Sequence, residues 1–265
     1  MVNIKPDYHE ILKQGRPSTK AVVLALLRAV QGQVLSGEVI AQEAQVSRVA
    51  VWKAIEALKN AGYPIESIEN EGYLLSENWT DDFLYPWEFP GREDRFFYYD
   101  HIDSTMHRAR QLAQQGSPGG AVVVAEWQTG PVTRQGGHWE SKPGGLYVTL
   151  LERPGCPLSE YQRYIRYAQQ CLGKALEQEI GPAIQYDRYP DLYVHHKKIA
   201  GIVSELHALD EQVQWISIGI GVHVNDKVED ELSTSCSIIV GKPISRKTLL
   251  KELLSAWETQ KWEKQ

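Results

Sequence analysis

Two kinds of residue in this chain could do chemistry: cations and aromatics on one short helix, and polar groups scattered among glycines further along. Ser47 can cap a helical stretch running to about Asn60, in which Val51, Ile55 and Leu58 share one face. Arg48, Trp52 and Lys53 then point elsewhere near its N-terminal half, where two cations and a flat ring suit a charged partner. Other eye-catching groups imply less. His195 and His196 are adjacent, so their side chains diverge, and no nearby acid supplies a third metal ligand. Asp100, His101 and Asp103 are acidic enough for a metal, but Asp103 sits at the start of a helix. No metal site is expected. Cys156, Cys171 and Cys236 are odd in number and lack C-x-x-C spacing, which excludes a disulfide framework and a zinc finger and predicts reduced, buried thiols.

The elements that carry the first group come early. Val22, Leu24, Leu26, Leu27 and Val30 predict a helix over 19–30, broken by Gln31-Gly32-Gln33. Ser36 caps a second helix over 39–44, Ser47 the third, and Gly62 ends it. Pro64–Ile68 and Tyr73–Leu75 read as strands around Glu69-Asn70-Glu71-Gly72, a hairpin turn. Helix, helix, turn, helix and a two-stranded wing make a winged helix-turn-helix over residues 1–78, whose third helix enters the major groove of DNA. A protein-contact role stays open as the alternative. Residues 1–78 hold eight Lys and Arg against nine Asp and Glu, and Glu66, Glu69 and Glu71 put acid on the wing, so DNA contact must come mainly from the third helix.

The chain of 265 residues, 42% hydrophobic and 23% charged, is long enough for two unequal globular domains. Its net charge of −6 excludes a whole-surface nucleic-acid binder. No apolar run reaches the roughly 18 to 20 residues of a membrane span, and the first residues lack a secretory signal's apolar centre, so a cytoplasmic protein is expected. Residues 79–94, with Pro86 and Pro90, read as a linker. Over 95–265 strands are expected at 95–99, 121–125, 146–151 and 184–186, a hairpin from 198–206 with 214–224, and helices at 104–115, 158–180 and 245–262. No strand-G-x-G-x-x-G-helix unit is present, so the class is α+β, a mixed sheet covered by helices, not a doubly wound sheet.

The ordered string of short motifs resembles the biotin protein ligases that carry an N-terminal winged helix. It comprises Ser36-Gly37-Glu38, Ser47-Arg48, Gly72-Tyr73, Asp103-Ser104-Thr105, Ala125-Glu126-Trp127-Gln128-Thr129, Trp139 with Ser141, Gly144-Gly145-Leu146-Tyr147, Lys198-Ile199-Ala200-Gly201-Ile202 with Glu205, and Ile218-Gly219-Ile220-Gly221. The resemblance implies a biotin/lipoate ligase-like mixed sheet with helices, without the SH3-like domain that usually follows, because the chain ends at Gln265. It implies binding of biotin, activation with ATP and magnesium as biotinyl-5'-AMP, transfer to a biotin carboxyl carrier protein, and repression by a homodimer on a DNA operator. Ser104, Thr105 and Gln128 would surround the ureido ring, with Trp127 beside it, and Gly201, Gly219 and Gly221 would let two strands approach the bicyclic ligand. Lys198 and Arg134 would be the catalytic cations, on the biotin carboxylate and the phosphate. Arg188, Asp191, His223 and Trp139 would fall to the nucleotide.

The departures from that family's pattern cluster. Its loop G-R-G-R-x-G-R is here Pro131-Val132-Thr133-Arg134-Gln135-Gly136-Gly137, keeping only the middle arginine. Its K-W-P-N-D is Arg188-Tyr189-Pro190-Asp191, short of the Asn; its I-N after G-I-G is Val222-His223; and Asp103-Ser104-Thr105 is followed by Met106 where Asn is usual. Biotin positions are largely kept and phosphate positions largely lost. Two classes follow: a DNA-binding, biotin-responsive repressor without adenylation, or a bifunctional ligase and repressor with a rebuilt site in which Arg188 and His223 stand in for Lys and Asn. A lipoate or octanoate transferase would leave the winged helix unexplained.

Overall fold

The computed structural model describes residues 17–133, 139–181, 184–186 and 188–259. The chain divides into two units, one of residues up to 81 with 85–94, the other of 82–84 with residues from 95 onward.

In the smaller unit three serines start three helices. Ser18 accepts from Ala21 N at 3.3 Å at the head of α1 (Thr19–Ala29), Ser36 from Val39 N at 3.2 Å for α2 (Gly37–Glu43), and Ser47 from Ala50 N at 3.1 Å for α3 (Arg48–Asn60). Each hydroxyl satisfies an amide that has no partner inside its helix. Strands β1 (Val34–Leu35), β2 (Ile65–Ile68) and β3 (Gly72–Leu75) form an antiparallel sheet in the order β1-β3-β2. The wing turn places Asn70 at φ 59° and Gly72 at φ 144°, and a Cβ on Gly72 would collide with the Leu35 carbonyl oxygen. Helices, turn and wing are those expected; β1 is an addition. Within the expected linker 79–94, residues 85–94 group with the smaller unit. Glu88 is buried and accepts from Arg28 Nη1 at 2.9 Å, from Arg28 Nη2 at 2.7 Å and from Tyr63 Oη, which fastens the segment to α1. Burial and the Glu88 carboxylate hold the Tyr63 phenol well above its ordinary range.

The larger unit is a seven-stranded mixed sheet in the order β4-β5-β6-β10-β9-β8-β7. Its strands are β4 (Phe96–Ile102), β5 (Ala121–Gln128), β6 (Leu146–Glu152), β7 (Ile184–Gln185), β8 (Leu192–Val194), β9 (Lys197–Leu209) and β10 (Gln212–Val222). Among the described strands only β4 and β5 run parallel, joined through α4 (Thr105–Gln114), which packs on β5, β6 and β10. Helices α5 (Gln162–Ile180) and α7 (Arg246–Thr259) pack on each other, and short α6 (Cys236–Val240) meets α5. The α+β expectation holds, with corrections. A single 3-10 turn, Leu158–Glu160, precedes α5, so the helix does not start at 158. The first strand of the expected hairpin runs three residues further, to Leu209, while the second starts and ends two residues earlier, at Gln212 and Val222, and β8 and α6 were not expected. Both tight hairpin turns lack glycine: His195 and His196 at φ 49° and 64°, Asp210 and Glu211 at φ 47° and 60°. A two-residue turn with two left-handed positions normally advertises itself as Asn-Gly, and that signal is missing here.

Among the described residues no helix is long and apolar enough to cross a membrane. Burial holds the Glu152 carboxyl above its ordinary value of 4.5 while Trp257 Nε1 donates to it at 2.9 Å. The native carboxyl therefore keeps its proton more tightly than the unfolded one, and stability falls as pH climbs from about 4.5 through the native value. Glu152→Gln should remove that slope, so the variant gains on the natural protein between about pH 4 and 7 in urea midpoints; a gain that is the same at both pH values would refute it.

Candidate functional site

A cavity of about 170 Å³ lies over the β9/β10 pair of the larger unit. Gly201 faces Gly221 across that pair and Gly219 faces Val203. The missing side chains are used by neighbours: a Cβ on Gly221 would lie 2.8 Å from the Trp139 ring, and one on Gly219 2.8 Å from Met106 Sδ. Trp139 and Met106 thus rest on bare backbone and form two walls.

One end is neutral and hydrogen-bonded. Alternation along β5 turns Gln128 inward, and α4 starts at Thr105 beside it. Gln128 Oε1 accepts from Thr105 N at 2.8 Å and Thr105 Oγ1 at 3.0 Å, and its amide donates to Ser141 Oγ at 2.9 Å. Thr149 Oγ1, on β6, donates to Thr105 Oγ1 at 2.9 Å. These bonds leave one amide hydrogen of Gln128 and one lone pair of Thr105 for a ligand. The groups are held before any ligand arrives, which lowers the ordering cost of binding.

The other end is charged and self-paired. Lys198 Nζ lies 2.9 Å from Asp191 Oδ2 and 5.4 Å from the Trp139 ring centroid; Asp191, 5% exposed, also accepts from Ile202 N at 3.2 Å. Behind Trp139, His223 stacks at 4.4 Å between centroids and 20° between planes, and its Nδ1 meets Asp226 Oδ2 at 2.6 Å. Both partners of that pair are buried.

Thr105, Gln128, Trp139, Asp191, Lys198, Gly201 and Gly219, all singled out in the sequence, line the cavity, while His223 backs one wall. Ser104 does not line it: fully buried, it caps α4 by accepting from His107 N at 3.4 Å. Trp127 is also out of place as a pocket residue. It is the neighbour of Gln128 on a strand and so faces the other way, 44% exposed and stacked on His101 at 4.3 Å. Arg188 is exposed, 5.2 Å from the Tyr193 ring centroid, and is not in the lining. Arg134 lies outside the described residues. Sequence reasoning missed the wall formed by Met106 and the supporting roles of Ser141, Thr149 and Asp226 behind the lining; a threonine in the middle of the largely apolar β6 was the one available signal. Among the described residues no group of three His, Cys, Asp or Glu could hold a metal.

On α3, Ser47 serves as the cap, Arg48 Nη2 lies 2.7 Å from Glu38 Oε2 in an exposed pair, and Trp52 and Lys53 are exposed. An exposed ion pair of that kind is worth little and opens readily. Val49, 61% exposed, was not singled out from the sequence.

Comparison with known proteins places these two surfaces in context. Residues 19–74 match the HTH domain family, and residues 98–223 the biotin/lipoate A/B protein ligase family. The bifunctional ligase/repressor BirA of Bacillus subtilis strain 168 is 30% identical over 263 residues, covering 92% of this chain and 78% of the relative. BirA of Escherichia coli K12 is 26% identical over 210 residues, covering 76% and 62%. Among solved structures, the biotin protein ligase from Aquifex aeolicus in complex with biotin and ATP superposes with a TM-score of 0.53 at 26% identity, over 62% of this chain and 69% of that one.

Proposed function

The chain belongs to the biotin protein ligase family in its helix-turn-helix-bearing, BirA-type form, and from that premise we propose that it is a biotin-responsive DNA-binding repressor that no longer makes the adenylate. The observation that carries this reading is the contrast between the two ends of the cavity. The neutral end suits a ureido ring: Gln128 has an amide hydrogen for the ring carbonyl, Thr105 Oγ1 a lone pair for a ring N–H, and the glycine floor admits a flat bicycle. Trp139 and Met106 supply apolar walls, and Lys198 stands where a ligand carboxylate would end. The charged end suits a triphosphate poorly. Among the described lining residues Lys198 is the one cation, it is already paired with Asp191, and Val132 lines the cavity where the family's loop carries an arginine.

In this reading the protein works as a cytoplasmic homodimer. Ser47, Arg48, Trp52 and Lys53 make up the operator-contacting surface, and biotin binding at Thr105, Gln128 and Gly201 is the signal. Thermal unfolding with and without biotin tests it: ligand at about 100 times its dissociation constant adds about 2.7 kcal/mol of stability. No shift at millimolar biotin, with a clear shift from another small acid, would replace the ligand. The second reading, an active ligase that passes biotin to a carrier protein, is favoured by Lys198 lining the cavity, since the family resemblance gives that lysine the catalytic role, and pyrophosphate release separates the two.

A further inference from the structure

The outer face of α3 combines charge with bare hydrocarbon. Ser47 caps it; Val51, Ala54, Ile55 and Leu58 are buried behind it; and Arg48, Val49, Trp52, Lys53 and Glu56 face away from that core. Val49 is 61% and Trp52 54% exposed, three residues apart and therefore adjacent on one face. The helix carries Arg48, Lys53 and Lys59 against Glu56 alone, so it is cationic although its unit as a whole is not. A polyanion fits such a helix better than an apolar protein groove does.

The chemistry of the major groove makes the fit more specific. An adenine edge is read by the paired donor and acceptor of Asn or Gln, a guanine edge by Arg or Lys, and a thymine by apolar contact with its 5-methyl group. The outward positions in the first two turns of α3, the end that enters the groove, offer Arg48 and Lys53 for guanine and Val49 and Trp52 for a methyl, but no Asn or Gln; Asn60 lies at the far end of the helix. We infer that α3 recognises A·T pairs in its DNA site from the thymine side, through contact of Val49 and Trp52 with thymine methyl groups, while Arg48 and Lys53 supply guanine and phosphate contacts. This inference rests on the operator-binding reading above.

The test separates the two. A duplex selected from a random library by the full-length protein with biotin is resynthesised with deoxyuridine in place of thymidine, one half-site strand at a time. The change removes only the methyl and leaves pairing and the minor groove unaltered. Affinity should fall roughly fourfold for each methyl that α3 covers, and the fall should shrink in Val49→Ser, an exposed position where the helix tolerates the change. Equal affinity for the uracil and thymine duplexes overturns the inference and leaves the repressor reading standing. So does a loss that is the same in the natural protein, Val49→Ser and Trp52→Ala, because the methyls would then be read elsewhere. Failure to retain any duplex overturns the operator reading and the inference with it.

Discussion

Biotin-dependent release of pyrophosphate by this protein should be undetectable, or at least several hundred-fold slower than that of an active ligase. The two missing loop arginines, replaced by Val132 and Gly137, would each make charged hydrogen bonds to a triphosphate worth roughly 1.5–3 kcal/mol. A combined loss of about 3–5 kcal/mol at roughly 1.4 kcal/mol per tenfold gives that factor. Lys198 does not make up the difference, because Asp191 lies 2.9 Å from its ammonium and offsets its charge. Lys198→Ala should then weaken biotin binding without removing any turnover. Robust adenylate formation that vanishes in Lys198→Ala would sink this reading and establish a bifunctional ligase and repressor.

A large loss of stability is expected on replacing Arg246, which is not among the residues lining the cavity. Its guanidinium, in a residue 8% exposed, donates from Nε to Asp82 Oδ2 at 2.8 Å, from Nη1 to Glu126 Oε2 at 2.5 Å and to the Gly145 carbonyl at 3.3 Å. The same Asp82 accepts from Lys247 N at 3.1 Å, so one carboxylate serves both the arginine and the first turn of α7. Arg246→Met keeps the volume and leaves two largely covered carboxylates facing each other without a cation. Breaking one side of a buried ion pair costs about 3–5 kcal/mol, and the lower end applies because the Asp82 and Glu126 side chains keep 18% and 24% exposure. Urea denaturation should show a loss of about 3 kcal/mol, with partial recovery in the double variant Arg246→Met, Glu126→Gln. A loss below about 1 kcal/mol would mean that the carboxylates find solvent. Since Glu126 lies two residues before Gln128 on β5, weaker biotin binding should accompany the loss.

How far these properties could be read in the chain depends on the range of the interaction that sets them. Serine caps at 18, 36 and 47, the apolar faces of α1 and α3, and the Asn70–Gly72 wing turn all act within about four residues, and the helix-turn-helix was legible from them. The order of motifs along the larger unit was equally legible, since Thr105, Gln128, Lys198, Gly201 and Gly219 line one cavity. What they do there was decided by register. Gln128 faces inward and Trp127 outward only because β5 pairs as it does with β4 and β6, and a one-residue slip would exchange them. Thr149 and Ser141 reach the Thr105–Gln128 pair from β6 and the segment before it, 44 and 13 residues away in sequence. No local pattern announces such a meeting. Asp191 neutralises Lys198 because the glycine-free turn at His195 and His196 folds β8 back on β9. Local backbone chemistry thus wrote the elements and their caps, while strand pairing and turn geometry, summed over the whole sheet, selected which polar groups meet and which charges cancel.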